Sequence, residues 1–88
     1  MEFAKSLSGH DKNQYYLVYK KEDEYLLLVN GTTRPLEKCK RKNKKHVQIV
    51  KSLPIEIEEI LNKEVSNLTV KKAIKEYEKL TNQNQEER

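Results

Sequence analysis

The sequence predicts a mainly β protein, a small barrel of about five strands followed by two short C-terminal helices. Three observations support this prediction: short apolar runs alternate with turn residues in the first half, the apolar period changes after Ser52, and the chain has only 88 residues. A chain of this length buries one hydrophobic core and little more. We therefore expect a barrel over residues 1–51, a helical extension over 52–82 and a disordered tail over 83–88.

The first half of the chain contains two strong strand patterns. Residues Gln14–Lys20 and Glu24–Val29 are rich in aromatic and aliphatic side chains, and polar residues separate them, which predicts an antiparallel hairpin. Asn30-Gly31 is the strongest short-range signal of a type I′ turn. This turn would join the second strand to a third at Thr32–Leu36.

Two further short segments, Phe3–Leu7 and His46–Val50, complete a set of about five strands. Pro35 cannot donate a ladder hydrogen bond, so its strand should end there or lie at an edge of the sheet. Five short strands without an intervening helix fit a small closed or nearly closed barrel. We favour an SH3-like barrel, because the alternative OB-fold usually needs a longer chain and a helix between its strands.

After Ser52 the apolar residues follow a helical period. Pro54 suits the first turn of a helix and three glutamates follow it, so the first helix is predicted over Pro54–Lys63. Thr69 is the expected N-cap of the second helix. Its apolar stripe consists of Val70, Ala73, Ile74, Tyr77 and Leu80. We expect this stripe to pack against the first helix or the barrel, with docking of a protein partner through 70–80 as the alternative.

Positive charge is concentrated in one segment of the chain. The formal net charge is +4, but residues 34–51 contain eight Lys or Arg and a single acid, Glu37. Six of these bases fall within Lys38–Lys45, and their mutual repulsion weakens the fold unless a polyanion neutralises them. Contact with RNA or DNA is therefore predicted for this basic run. A solvated loop or a nuclear-import-like signal would have a similar composition.

Three segments of the chain occur in an order that resembles a known family. They are the loop Ser8–Asn13, the stretch Val29–Leu36 and the Lys-rich run that ends in Lys45-His46. Over about residues 4–51 they are similar to the bacterial KOW-domain RNA-binding proteins, which are relatives of the eukaryotic-type large-subunit ribosomal protein fourteen. The resemblance implies an SH3-like KOW barrel that binds RNA, in particular ribosomal RNA of the large subunit, and that has no catalytic activity.

The expected RNA contacts lie in the loop Ser8–Asn13, in the basic run and at two supporting positions. Gly9 permits a close approach of the backbone to a sugar-phosphate chain, and Asn13 tolerates the left-handed backbone region. The alternative for this loop is an ordinary turn in which Asp11 bonds its own backbone. The candidate RNA-binding residues are Lys5, Ser8, Gly9, His10, Lys12, Asn13, Arg34, Lys38, Lys40, Arg41, Lys42, Lys44, Lys45 and His46.

Recognition is expected to follow the shape of the RNA backbone rather than its base sequence. The tyrosines of the predicted strands offer stacking surfaces for unpaired bases, although we expect at least two of them to pack in the core. Replacing Lys40, Arg41 and Lys42 with Gln is expected to weaken binding and to leave the fold unchanged. The competing hypothesis is a protein-interaction adaptor, in which the barrel or a helix face recruits a partner and the basic run only keeps the protein soluble.

Catalytic and metal-binding patterns do not stand out in the sequence. Cys39 and His46 lack the second pair of ligands typical of a zinc site and the orienting partner of a thiol nucleophile. We therefore expect no enzyme, no metal, no cofactor and no small-molecule substrate. The single cysteine, the lack of a signal-like start and a longest apolar run of only Tyr25–Val29 predict a cytoplasmic protein that does not enter a membrane.

Overall fold

A five-stranded antiparallel sheet and two helices make up the fold. The computed structural model describes the backbone of residues 1–86 and the side chains of residues 1–81. The strands are β1 Phe3–Ser6, β2 Tyr15–Lys21, β3 Tyr25–Val29, β4 Lys40–Asn43 and β5 Val47–Val50, and the helices are α1 Ile55–Lys63 and α2 Asn67–Glu86. Short 3₁₀ turns at Leu36–Lys38 and Lys44–His46 flank β4.

The strand order is β4-β3-β2-β1-β5, so the first strand lies between the second and the fifth. All four pairings are antiparallel. This arrangement confirms the prediction of a mainly β protein with helices at its C-terminal end. Within the described residues β4 and β5 do not pair with each other, so closure of the sheet into a barrel is not found.

The prediction of a third strand at Thr32–Leu36 is wrong. Four of the five predicted strands are confirmed to within one residue at each end, but residues 32–36 form no strand. Asn30 organises a loop instead, since its Oδ1 accepts hydrogen bonds from the backbone N–H groups of Thr32 and Arg34 at 2.9 and 2.8 Å. Gly31 has a positive φ of 79° but Asn30 does not, which excludes the type I′ turn. The second neighbour of β3, beside β2, is instead β4, which lies inside the basic run.

Two hydrophobic clusters lie on opposite faces of the sheet. Phe3, Leu17 and Val29 belong to the first cluster. The helical segment adds Leu53, Ile57, Leu61, Val70, Ala73 and Ile74 to it. The second cluster contains Ala4, Tyr16, Leu26, Leu28 and Val47. Adjacent residues of a strand point to opposite faces, so the helices cover one face of the sheet only. Residues from both predicted units, 1–51 and 52–82, contribute to the first cluster.

The second cluster is buried without help from a helix. Ala4, Ser6 and Leu28 are fully buried there, although the buried members of the cluster all come from the strands of the sheet. The sheet must therefore curl around this face. Its remaining cover comes from the loop Ser8–Asn13, whose side-chain contacts are described below.

The N-terminus of α2 carries a capping box. The backbone N–H of Ser66 donates to Thr69 Oγ1 at 2.8 Å, and the backbone N–H of Thr69 donates to Ser66 Oγ at 3.2 Å. Ser66 is therefore the N-cap and Thr69 is the third residue of the helix, so the predicted N-cap at Thr69 is wrong. The error is small because either residue offers a hydroxyl of the right kind.

The helical segment otherwise follows the sequence pattern. α1 begins one residue after the predicted start, and the stripe of α2 is confirmed as a packing face, with Val70 and Ala73 fully buried. α2 continues to Glu86, which includes residues 83–86 of the segment expected to form a disordered tail. Residues 87 and 88 of that segment lie outside the described residues. No helix of the described chain combines the length and apolar character that a membrane span requires.

The loop around Gly31 holds the start of α2. A Cβ atom at Gly31 would overlap the backbone oxygen of Asn67 and lie 2.9 Å from the backbone nitrogen of Lys71. Asn67 Oδ1 accepts a hydrogen bond from the Leu36 N–H at 2.8 Å, and its Nδ2 donates to Glu37 Oε1 at 2.8 Å. The Asn30-Gly31 pair therefore permits a close approach of helix and loop, rather than a hairpin.

Candidate functional site

The buried carboxylate of Asp11 joins the loop Ser8–Asn13 to the sheet. Asp11 is 7% exposed. Its Oδ1 accepts hydrogen bonds from Ser6 Oγ at 2.9 Å and Lys42 Nζ at 3.0 Å. Its Oδ2 accepts from the Tyr16 hydroxyl at 2.7 Å and Lys40 Nζ at 2.9 Å. These five side chains, which we name the Asp11 network, connect the loop to β1, β2 and β4.

The two lysines of the network point inward because of the strand register. Lys40 pairs with Leu28 and Lys42 pairs with Leu26, and directly opposed residues of neighbouring strands face the same side. The charges therefore lie at the face that holds the second cluster. An inward charge on an edge strand opposes pairing with a foreign strand. Side chains, rather than backbone hydrogen bonds, thus connect β4 to β1 across this face.

The hydrogen bonds of Asp11 decide its protonation state. Burial alone raises the pKa of this carboxyl, but the hydrogen bonds from Lys40, Tyr16, Lys42 and Ser6 outweigh burial and hold the pKa far below its ordinary value of 3.8. Asp11 is therefore ionised at neutral pH. Two ammonium groups share its single negative charge.

Tyr16 and Arg34 extend this electrostatic group. Burial, followed by the hydrogen bond and the negative charge of Asp11, raises the pKa of the Tyr16 hydroxyl well above its ordinary value of 10.0. The positive charge of Arg34 acts in the opposite direction, so its guanidinium lies within electrostatic range of the ring. Lys40 and Lys42 therefore contact the buried acid directly, whereas Arg34 acts on the tyrosine beside it.

The loop Ser8–Asn13 lies against two parts of the basic run. Lys42 Nζ also donates to the Ser8 carbonyl at 2.9 Å, and the Leu7 N–H donates to the His46 carbonyl at 2.9 Å. His10, Lys12, Lys45 and His46 are exposed in this region. We name the loop Ser8–Asn13, strand β4 and the turn Lys44–His46 together the basic surface.

The backbone of the loop follows the expectation. Gly9 has a φ of 89° and Asn13 a φ of 74°, which confirms that both adopt the left-handed region. Asp11 is not used as in an ordinary turn, since both of its oxygens bond side chains of the sheet. The loop is therefore held by its acid, and its residues Gly9, His10 and Lys12 are exposed.

The basic run is not the single loop that the sequence predicted. Its centre is strand β4, and 3₁₀ turns precede and follow it. Arg41 points away from the Asp11 network, with its guanidinium 3.9 Å from the Tyr25 ring centroid and a 3.2 Å hydrogen bond from Nε to Glu22 Oε1. Lys44 Nζ donates to the Asp23 carbonyl at 2.9 Å. Several bases of the run therefore have internal partners.

Three of the predicted contacts lie outside the basic surface, and one of them, Arg34, belongs to the loop that Asn30 organises. Lys5 faces the helices, since it alternates with Ser6 along β1, and its Nζ lies 5.8 Å from the Tyr15 ring centroid. Lys38 is exposed at the end of the turn Leu36–Lys38, beside the residues that Asn67 holds. The structure therefore joins most of the predicted site but separates these two lysines from it.

Several tyrosine rings pack against other side chains of the protein and are not free to stack on bases. Tyr16 is 2% exposed in the second cluster, and Tyr15 packs edge to face on Tyr77 with ring centroids 5.1 Å apart. This confirms that at least two tyrosines pack in the core. Tyr19, at an irregularity of β2, is half exposed and is the strand tyrosine with the most open ring.

The sequence reasoning missed Ser6, Asp11 and Tyr16 as parts of the site. No motif marks a serine, an aspartate and a tyrosine that meet through tertiary folding. The one available signal was that Asp11 is the single acid between Glu2 and Glu22, in a stretch with several bases. An isolated acid among basic residues is a candidate counter-ion.

Comparison with known proteins adds no family assignment to this geometry. Within the described residues, no three His, Cys, Asp or Glu side chains are grouped closely enough to hold a metal ion. A scan against protein-family models gives no match, and a search of curated proteins gives no relative.

Proposed function

We propose that the protein is a non-catalytic RNA-binding module that contacts structured RNA through the basic surface. The observation that carries this proposal is that Lys40 and Lys42 share the single carboxylate of Asp11. One negative charge does not neutralise two ammonium groups. Phosphate groups would supply the missing negative charge and release counterions on binding.

The exposed side chains beside the network would make the direct contacts. Lys12 and Lys45 extend into solvent, whereas the Lys40 and Lys42 side chains are only 27% and 11% exposed. In this arrangement Lys40 and Lys42, which are partly buried, set the local potential and fix the loop, and the exposed lysines reach phosphates. The backbone of Gly9 is also exposed, so a sugar-phosphate chain could approach it closely.

Recognition of backbone shape fits the placement of the tyrosines. A stacking platform needs open aromatic rings next to the positive charge. Tyr16 is buried, and Tyr25 is covered by Arg41. These positions favour contacts to phosphate and sugar over contacts to splayed bases, as in the recognition of helical RNA.

The fold proposed for this module is an SH3-like barrel of the KOW type. The strand order and the 3₁₀ turn between β4 and β5 support it, as does the curl that buries the second cluster. The resemblance of residues 4–51 to KOW-domain proteins adds ribosomal RNA of the large subunit as the proposed target. Sedimentation of a cell lysate would test this target, because the protein should travel with large subunits or polysomes.

The salt dependence of RNA binding tests the proposed function. If about five phosphates are neutralised, the slope of log affinity against log salt should be roughly −3 to −5. The variant Lys12→Gln/Lys45→Gln should bind more weakly and lose about 1.4 to 1.8 from the magnitude of that slope. The measurement is fluorescence anisotropy with a labelled structured RNA over a salt series.

The matched control is Lys51→Gln/Lys63→Gln. It removes the same charge from two exposed positions outside the basic surface, so its affinity and slope should stay close to those of the wild type. An affinity that does not change with salt would refute the proposal. Equal losses of affinity in the two double variants would show that the basic surface does not contact the RNA.

A further inference from the structure

The outer face of α2 is more strongly basic than the sequence pattern indicated. Leu68 and four lysines occupy one side of this helix, within an arc of roughly 100° at 3.6 residues per turn. The lysines are Lys71, Lys72, Lys75 and Lys79, and all four are exposed. Glu76 and Glu78 lie at the margins of the arc and are half-buried. We name these four residues the lysine face.

Within the described residues one ion pair connects the lysine face to an acid, although Glu59 and Glu64 border Lys72, and Glu78 borders Lys71 and Lys75. This ion pair joins Lys79 Nζ to Glu76 Oε1 at 3.6 Å, and those side chains are 70% and 45% exposed. A pair so exposed contributes little. Lys71, Lys75 and Lys79 also follow one another at i, i+4 spacing, and like charges at this spacing destabilise a helix. A bound polyanion would relieve this repulsion.

The lysine face and the basic surface lie on opposite sides of the sheet. α2 packs its stripe on the first cluster, so its outer face points away from that side of the sheet. Lys40 and Lys42 lie on the face of the second cluster. A single straight RNA helix lying on one side would therefore not reach both surfaces.

A groove continues the lysine face toward the sheet. Lys71 and Lys75 line this groove together with Tyr15, Gln14, Asn30 and one acid, Glu78, and its volume is about 300 Å³. Lys5 lies beside it, over the Tyr15 ring. The positive charge of α2 thus extends to a concave surface that also presents amide groups. Such a surface suits a phosphate chain better than a flat array of lysines does.

We propose that the lysine face is a second RNA-binding surface, so that the protein bridges two helical segments of RNA, one on each side of the sheet. This inference rests on the proposed function, because it names the form of RNA that the protein would recognise. A junction or a folded RNA offers two such segments, whereas a short duplex offers one.

The same face is a poor membrane anchor. An interfacial helix inserts its apolar side into lipid. In α2 that side is occupied by the core, with Val70, Ala73 and Ile74 buried. Leu68 is the large apolar side chain exposed on the lysine face, with 75% of its surface open. The remaining attraction to an anionic surface is electrostatic, and an RNA backbone provides it at higher charge density.

Energy transfer between two RNA duplexes tests the bridging. One duplex carries a donor and the other an acceptor, and monomeric protein, verified by analytical ultracentrifugation, is added to both. The α2 variant replaces Lys71, Lys72, Lys75 and Lys79 with Gln. The control replaces Lys20, Lys21, Lys51 and Lys63, which are equally exposed, with Gln. Circular dichroism confirms that each variant is folded.

Wild type and control should bring the duplexes together, whereas the α2 variant should bind one duplex without energy transfer. Its salt slope should also be smaller in magnitude by about 3. Energy transfer in the α2 variant at the wild-type level would overturn the inference, and so would RNA binding by the wild type without any energy transfer. If the α2 variant loses binding to phosphatidylserine vesicles but binds RNA like the wild type, the lysine face is a membrane-binding surface instead, and the inference is overturned.

Failure of the proposed function would look different. In that case the variant Lys12→Gln/Lys45→Gln would retain the wild-type affinity for a single duplex, while the α2 variant would lose most of it. If the α2 variant behaves like the control while Lys12→Gln/Lys45→Gln binds RNA more weakly, the basic surface remains the RNA-binding site and the lysine face is rejected as a second one.

Discussion

Lys42 Nζ lies 3.0 Å from Asp11 Oδ1, although the two residues stand 31 positions apart in the chain. This contact, together with that of Lys40, ties an edge strand to a loop that precedes β2. Removing one partner of a buried ion pair leaves the other charge unpaired, which is more costly than the pair is stabilising. The Asp11 network should therefore control stability as well as the local potential.

Asp11→Asn should lower the free energy of unfolding by about 2–4 kcal/mol. The substitution keeps the size of the side chain but leaves the two lysines without a counter-charge. The loss should fall below that of a fully buried pair because the Lys40 side chain is 27% exposed. Urea denaturation followed by circular dichroism measures it. Asp23→Asn, in an exposed turn, is the control, and equal midpoints for both variants would contradict the prediction.

The contribution of Asp11 should disappear in acid. The native pKa is lowered below the ordinary value of 3.8, so above that value both the native and the unfolded carboxyl are ionised and the contribution is complete. As the pH falls below about 3.8, the unfolded state takes up a proton first and the contribution declines. The gap in unfolding free energy between wild type and Asp11→Asn should thus be constant from neutral pH to about pH 5 and shrink below pH 4. A gap that closes already above pH 5 would show that another group is responsible.

Tyr16→Phe should remove an alkaline transition. The native pKa of Tyr16 is raised above 10.0, so its contribution is complete below pH 10 and is lost as the pH rises above that value, where the unfolded tyrosine ionises first. The variant should lose about 1.5–3 kcal/mol at neutral pH, typical of a hydrogen bond to a charged group. Its difference from the wild type should become smaller above about pH 10. Tyr19→Phe, at an exposed ring, should show neither effect.

Gly31→Ala should be more destabilising than Gly9→Ala. Both glycines have a positive φ, which costs an L residue about 1–2 kcal/mol. A Cβ at Gly9 meets only side-chain atoms at 3.5 Å or more, whereas a Cβ at Gly31 overlaps the backbone of α2. The Gly31 variant should therefore lose at least about 1 kcal/mol more, as overpacking does. The urea denaturation midpoints of the two variants test this difference. Equal midpoints would mean that the loop around Gly31 moves away from α2 with no loss of unfolding free energy.

Replacing Lys40, Arg41 and Lys42 together with Gln should destabilise the fold, contrary to what the sequence alone suggests. Lys40 and Lys42 compensate Asp11, and Arg41 stacks on Tyr25. The triple variant would leave a buried carboxylate without cations. Hydrogen exchange of the β1 and β4 amides should show faster opening in this variant than in Lys12→Gln/Lys45→Gln. Similar protection in both would mean that solvent replaces the lysines at Asp11.

Local patterns predicted the elements whose residues carry their own signal. β2 and β3 are rich in apolar and aromatic residues, and α1 follows a proline and has acids in its first turn, so these elements lie within one residue of their predicted bounds. β4 has the sequence Lys-Arg-Lys-Asn, which has no apolar alternation. Its strand state depends on pairing with β3 and on the charge of Asp11, and neither is visible in a local pattern.

The site was predictable in outline for the same reason. Its bases are conspicuous in the sequence, and the glycine and asparagine of the loop have the expected backbone. The acid that organises them comes from a distant segment and has no spacing rule. The Asn30-Gly31 pair misled because a left-handed glycine serves a hairpin and a close helix contact equally well.

The position of β1 in the sheet also bears on the order of assembly. Its pairing with β2 closes a short loop, whereas its pairing with β5 joins Phe3 to Val50 across nearly all of the sheet-forming chain. Contacts of long sequence separation lose more chain entropy on closure and form late. We therefore expect the β1–β5 ladder to govern the folding rate. Because α1 and α2 follow β5 in the chain, we also expect the helices to dock on the sheet only after β1 has paired with β5.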